Sequence, residues 1–346
     1  MQFLQCIASV MEPSHSAPSL HAHLSEMAGM EPGAALGRLV AAGCDRLPLP
    51  GHGATLARWR ALAAVGAHDL SLAKLFEGHT DAHAILHEAG AAMGGRDALW
   101  GTWCAEPPDA RLLLQAAPGG KAVLRGRKAW CSGAQAVSHA VVSCWNEAGE
   151  PMLAALDLRQ DGVRVTGDGW HAVGMQGSGS VDVLFDGAAA TPLAGPGFYV
   201  ARAGFWHGGA GVAACWFGGA TRLADALRAR LASHADPHRL AQLGEVTVAL
   251  GASAALLREA AAAIDRAPTA DAMLAALSVR LSVEAAATAT LAAAGKALGA
   301  GPLCKDPALA RLVADLPVFM RQSHAERDLE AVGRIVAAAE ELPWTL

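Results

Sequence analysis

His324 and Glu326 stand two residues apart in "RQSHAERD" and are the chain's foremost candidates for moving a proton. A general base needs a pKa near the working pH, and histidine suits proton transfer near neutrality. The same run has a structural alternative, a solvated helix face on which Arg321, Glu326, Arg327 and Asp328 pair locally. Arg311 and Asp315, four apart just before it, read as a structural ion pair.

A second constellation is His79, His83 and His87, spaced i, i+4 and i+8 on one helix face. Two such histidines can bind a metal, but a site needs further ligands in suitable geometry. "HTDAH" lacks the glutamate of a zinc-protease helix, and His79 sits where it can simply cap the helix. A solvated or interface face is the reading adopted, with no metal site assigned. His15, His21 and His23 fall in a segment expected to be loose.

The third is "GMQGSGSVDVLFDG", Gly174 to Gly187. A dinucleotide fingerprint needs a third glycine and a following helix, and a Walker loop needs GKS or GKT. Here an alternating apolar run follows, with Val181, Val183 and Phe185 on one face. Glycines that supply positive φ next to a strand signature make a turn entering a strand, not a phosphate loop. Upstream, "GRKAWCSGAQ" carries Trp130 and Ser132. An indole offers a flat apolar wall and a hydroxyl donates or accepts. The structural alternatives are core filling for Trp130 and a turn role beside Gly133 for Ser132.

The elements that must position these residues fall into three blocks: 1–98 helical in pattern, 99–199 strand-like, 200–346 helical again. In the first, "ATLARWRALAAVGAHD" places Leu56, Trp59, Leu62 and Ala63 on one face. Asp69 reads as the N-cap of a helix that Gly78 can end, and a further helix closes at Gly90. The middle block holds seven short β-like runs about ten residues apart, which suits an antiparallel sandwich or barrel. In the last block Asp236-Pro237 and Asp306-Pro307 are helix starts, Leu240, Leu243, Leu250 and Leu257 mark a buried stripe, and Pro317 should kink or break a helix near Leu316.

Composition narrows the classes. The chain has 346 residues, 53% hydrophobic and 17% charged, enough for a sizeable core and unlike a disordered chain. A net charge of −5 without a basic block leaves no footprint for nucleic acid. Seven scattered cysteines form no CxxC pair, which argues against zinc or a redox dithiol and fits reduced thiols in the cytoplasm. The N-terminal "MQFLQCIASVM" has no basic residue ahead of it, so no secretory signal is expected. The uncharged stretch between Arg202 and Arg222 is long enough for a membrane, but its six glycines and His207 favour a buried helix in close contact with others.

Three stretches taken together resemble the acyl-CoA dehydrogenase superfamily of flavoproteins: "WCAEP" (103–107), "GRKAWCSGAQAVSHAVVSCW" (126–145) and "GMQGSGSVDVLFD" (174–186). "ADPHRLAQLGEV" is similar to the family's entry into its helix bundle, and "DPALARLVADLPVFMRQSHAERD" to its hydroxylase-like branch. The resemblance implies a mainly α fold with a central β domain and a C-terminal helical bundle. It implies FAD, or FMN, with Trp130 beside the isoalloxazine ring and Ser132 near its N5. Gly177, Ser178 and Ser180 would border the site, and Gly299 and Gly301 would reach the cofactor of a neighbouring subunit. An ordinary C-cap is the alternative for the last pair.

The sequence departs from the family at several places. Ala105 replaces a flavin-binding threonine, "PPDARLL" replaces the loop that commonly helps hold CoA, and "ASHADPHRL" lacks the Arg-x-x-Phe-Gly grip on the pyrophosphate. The expected function is α,β-dehydrogenation of an acyl thioester, with His324 or Glu326 as base. The alternatives are oxygenation by reduced flavin from a partner reductase, with His324 in the active site, and a flavin-free binding or scaffold member. A homodimer or homotetramer is expected.

Overall fold

A computed structural model describes residues 17–345, without 93, 96, 118–120 and 233–235. Cys6 and His15 lie outside the described residues, as does part of "ASHADPHRL". The N-terminal helices are α1 (Ala17–Ser25), α2 (Pro32–Ala41), α3 (Thr55–His68) and α4 (Leu70–Glu88). His21 and His23 therefore sit in a helix, not in a loose segment. Asp69 caps α4, accepting from the Leu72 N–H at 2.8 Å. Gly78 does not end this helix: α4 runs on through His79 to Glu88 and is buried along most of its length. Burial on several sides outweighs the small helix penalty of one glycine.

Among the described residues the strands all lie in the central region: β1 (Trp100–Trp103), β2 (Leu112–Ala117), β3 (Lys121–Cys131), β4 (His139–Trp145), β5 (Pro151–Asp157), β6 (Val163–Val165) and β7 (Val181–Leu193). Five close into a ring, β4-β2-β3-β7-β5 and back to β4, with β1 beside β4 and β6 beside β7. Pairings are antiparallel except that β4 runs parallel to β1 and, at one register pair, to β2. Inward side chains such as Val142, Ala154, Val183 and Phe185 fill the interior.

The chain then returns to helix: α5 (Phe198–Ala201), α6 (Gly204–Leu231), α7 (Pro237–Arg266), α8 (Met273–Leu298), α9 (Ala300–Lys305), α10 (Pro307–Phe319) and α11 (Glu326–Ala337). Asp236 and Asp306 cap α7 and α10 as their Asp-Pro starts foretell. The uncharged 203–221 stretch lies largely in α6, and its glycines serve close helix contact. A Cβ on Gly218 would lie 2.0 Å from the Ala63 carbonyl oxygen of α3, and one on Gly66 of α3 would lie 2.3 Å from that of Cys215.

Two sequence expectations are corrected in part in this block. Leu250 and Leu257 are buried as expected, but Leu240 is exposed, and the inner stripe of α7 is Val246, Leu250, Ser253, Leu257, Ala260 and Ile264. Pro317 does not break its helix, because α10 continues to Phe319 and a short 3-10 turn follows at Met320–Gln322. By length and composition α7 and α8 are each apolar enough to cross a membrane, with 22% and 44% of their apolar windows buried.

Candidate functional site

The site is built at the end of β3. Lys128 faces Val183 and Cys131 faces Val181, so Ala129 and Trp130 together oppose Asp182 alone, a β-bulge. Trp130 takes φ 57, the left-handed region that a bulky residue seldom occupies. The bulge turns the indole outward, and it stays 50% exposed. It is therefore not core filling. Two residues on, Ser132 is partly exposed, and its carbonyl accepts from Trp103 Nε1 at 3.0 Å.

Behind Ser132 lies the 174–180 turn. Ser132 Oγ is 2.8 Å from Ser180 Oγ, which is 2.9 Å from Ser178 Oγ. The Gly133 N–H donates to the Ser178 carbonyl at 2.7 Å, closing the turn onto β3. Ser178 and Ser180 are buried and support Ser132 from behind, while Gly177 packs towards Pro32 and Ser71. Met175 also has a left-handed φ, of 60. Its carbonyl accepts from the Ser178 N–H, Ser178 Oγ and Trp170 Nε1.

The Met175 N–H donates to Asp315 Oδ1 of α10. At Gly174 the helix comes so near that a Cβ would lie 2.0 Å from the Ala314 carbonyl oxygen. Asp315 thus ties the bundle to the turn. It does not pair with Arg311 as its spacing suggests: Arg311 lies 3.7 Å from Asp69. Burial pushes the Asp315 carboxyl up to about 6, against the pull of the Met175 N–H.

An ion pair with a buried lysine ties the same strand end to the loop after β1 and to β4. Lys128, 1% exposed, donates to Glu106, the Ser143 carbonyl and Ser143 Oγ. Glu106 also accepts from Ser143 Oγ and from Trp145 Nε1. Burial alone would raise Glu106, yet the hydrogen bonds from Lys128, Ser143 and Trp145 hold it below the usual carboxylate range. β3 reads KAVLRGRKAWC and carries four basic residues, so no local pattern in the sequence marks Lys128 as the buried one.

The remaining predicted residues stand on the bundle. The His324 N–H donates to Asp328 Oδ2 at 3.1 Å, and its Nδ1 lies 3.5 Å from Asp328 Oδ1. The imidazole is 61% exposed beside a buried carboxylate. Ala325 next to it has φ 46 and ψ −111, a strained pair for a residue with a Cβ. Glu326 is exposed at the start of α11. Within the run Asp328 pairs with His324, while Arg321 reaches across to Glu284 of α8. Gly299, with φ 67, ends α8, and Gly301 is exposed in α9. Among the described residues no hydrogen bond joins His324, Glu326, Gly299 or Gly301 to the serine chain.

The histidine helix behaves differently from its expectation. His79 is fully buried in mid-helix, so it neither caps a helix nor faces solvent. His79, His83 and Asp45 bring possible ligand atoms within 4.8 Å of one another. However, His79 Nδ1 accepts from the Trp100 N–H at 3.0 Å, so the neutral ring carries its proton on Nε2. That proton points to Asp45 Oδ2, 3.3 Å away. A metal on Nε2 would demand an imidazolate. The cluster is better described as a buried hydrogen-bonded tie between the loop after α2, helix α4 and strand β1.

The end of β3 thus carries an exposed indole at Trp130 and, two residues on, the Ser132 hydroxyl supported by the 174–180 turn. No protein-family model matches the chain, and no curated protein matches it in sequence. Solved structures do resemble it. KijD3 in complex with FMN and dTDP-3-amino-2,3,6-trideoxy-4-keto-3-methyl-D-glucose superposes with a TM-score of 0.80 at 19% identity, over 96% of each chain. FMN-bound TdsC from Paenibacillus sp. A11-2, a dibenzothiophene monooxygenase, gives 0.79 at 18% identity, over 95% of this chain and 97% of that one. Methanesulfinate monooxygenase MsuC from Pseudomonas fluorescens gives 0.77 at 21% identity, over 96% and 98%. The chain has the acyl-CoA dehydrogenase-like fold, mainly α with a central β domain.

Proposed function

We propose that the chain is a flavin-dependent oxidoreductase that uses reduced FMN or FAD to oxygenate a small molecule. The observation that carries this reading is Trp130: a half-exposed indole held outward on a strained bulge, next to Ser132. Such an aromatic is costly to leave facing water and is well used as the wall of a planar cofactor. Trp130 and Ser132 would hold the ring, which supplies the redox chemistry when bound. Support for oxygenation over dehydrogenation of an acyl thioester comes from the structural neighbours, two of which are named monooxygenases. FMN is placed ahead of FAD because KijD3 and TdsC are seen with FMN.

His324 would hold or move a proton at its ring, oriented by the buried carboxylate of Asp328. A flavin reductase would supply the reduced cofactor in the cytoplasm. Exposed apolar side chains on α7, α11 and the C-terminal tail (Leu240, Val248, Leu329 and Trp344) support a homodimer or homotetramer. Gly299 and Gly301 could then meet a neighbouring subunit's cofactor.

Titrating the purified protein with FMN and FAD, read by absorbance and fluorescence, tests the flavin reading. Absence of binding by oxidised and reduced forms alike would leave the scaffold reading. With a flavin reductase and NADH present, substrate-dependent oxygen uptake supports the oxygenase. Anaerobic bleaching of bound flavin by acyl-CoA thioesters would support the dehydrogenase instead. His324→Ala is expected to cut turnover by about 100-fold or more with flavin affinity within about threefold of the parent.

A further inference from the structure

The serine chain behind the site has a direction, and the backbone sets it. Ser178 Oγ lies 2.7 Å from the Met175 carbonyl oxygen. A carbonyl has no proton to give, so Ser178 donates there. Each hydroxyl owns one proton. With Ser178's proton committed, the 2.9 Å contact between Ser178 and Ser180 requires Ser180 to donate. With Ser180's proton committed as well, the 2.8 Å contact between Ser180 and Ser132 requires Ser132 to donate. Ser178 and Ser180 are 1% and 4% exposed, so solvent does not offer them other partners. Ser132, the partly exposed end of the chain, therefore turns only lone pairs to whatever lies in front of it.

We infer that Ser178 and Ser180 are positioning residues that make Ser132 a hydrogen-bond acceptor, and that this polarity selects the reduced flavin over the oxidised one. The inference rests on the flavin reading above, with the N5 edge of the ring at Ser132. In the oxidised isoalloxazine N5 carries only a lone pair, which would face the lone pairs of Ser132. In the reduced ring N5 carries a hydrogen, which Ser132 can accept. The discrimination has the character of an unmatched polar contact, which costs more than a matched one gains. The first donor of the chain is held in turn by the Met175 peptide, whose carbonyl takes three donors and whose N–H is fixed by Asp315. Few single changes outside the chain can reverse it.

The experiment is a pair of anaerobic titrations, oxidised FMN against dithionite-reduced FMN, on the parent and on Ser180→Ala, Ser180→Thr and Ser178→Ala. The parent is expected to bind the reduced form at least about tenfold more tightly. Ser180→Ala removes the acceptor for the Ser132 proton and frees that hydroxyl to donate. Its preference should fall by about tenfold, which for a two-electron couple moves the bound midpoint potential by about 30 mV. Ser180→Thr keeps the hydroxyl and should keep the preference. Ser178→Ala breaks the chain one link earlier and should lower the preference too, which keeps the test open if Ser180→Ala does not fold. Equal binding of both forms by the parent, or an unchanged ratio in a folded alanine variant, overturns the inference and leaves the flavin reading standing. Binding of neither form overturns both.

Discussion

Trp130 combines a left-handed φ of 57 with a side chain half open to water. The backbone conformation costs about 1 kcal/mol or more in a residue with a Cβ, and glycine would not bear that cost. Trp130→Gly is therefore expected to keep the thermal stability within about 1 kcal/mol of the parent while lowering flavin affinity by tenfold or more. Calorimetry and fluorescence titration on the same samples check the two halves; a large stability loss with affinity intact would make Trp130 structural. His83 has a consequence for pH. Burial, the largest cause, depresses it to about 4. A base depressed in the fold contributes stability that is present above its unfolded value near 6.5 and lost as pH falls towards 4. His83→Gln should flatten the pH dependence of the unfolding free energy across that window, by about 1–2 kcal/mol once solvent screening is allowed for.

At the scale of elements, the Asp315 contact between α10 and the 174–180 turn has the opposite sign. A carboxyl raised to about 6 in the fold is ionised at a cost near neutrality. Its stabilising share is present below the unfolded value near 3.8 and is lost as pH rises through 6. Asp315→Asn keeps an acceptor for the Met175 N–H and should gain about 1 kcal/mol at pH 7.5, converging with the parent below pH 4. Asp315→Ala leaves that N–H unpaired and should lose about 1–3 kcal/mol at neutral pH. Denaturant titrations at both pH values distinguish the variants.

The seven strands and the helix starts at Asp69, Asp236 and Asp306 were legible, because alternation and aspartate caps act locally. The run of α4 through Gly78, the continuity of α10 through Pro317 and the exposure of Leu240 were not. Each depends on which neighbour packs against the helix, and no local pattern carries that information.

At the scale of the molecule, α7 and α11 present apolar side chains outward, with Val248 74% exposed. The proposed homodimer or homotetramer would cover this surface. Val248→Glu is expected to shift the assembly towards monomers by at least tenfold in dissociation constant, with the melting temperature of the monomer unchanged, as sedimentation velocity would report. A parent that sediments as a monomer at micromolar concentration would remove the proposed role of Gly299 and Gly301 at a neighbouring site.

The sequence by itself determined the order of helical and strand blocks, the glycine turn at 174–180 and the positions of Trp130 and Ser132. These follow from short-range periodicity, capping and turn chemistry. Tertiary structure alone decided that Trp130 faces outward on a bulge, that Asp315 reaches Met175 and not Arg311, and that His79 is buried on Asp45. It also brought Ser132 onto the hydroxyl chain whose direction Met175, Ser178 and Ser180 set locally. The contacts behind them join groups 34 to 140 positions apart in sequence, where a proton, a lone pair or a small volume of space settles which partner each side chain takes.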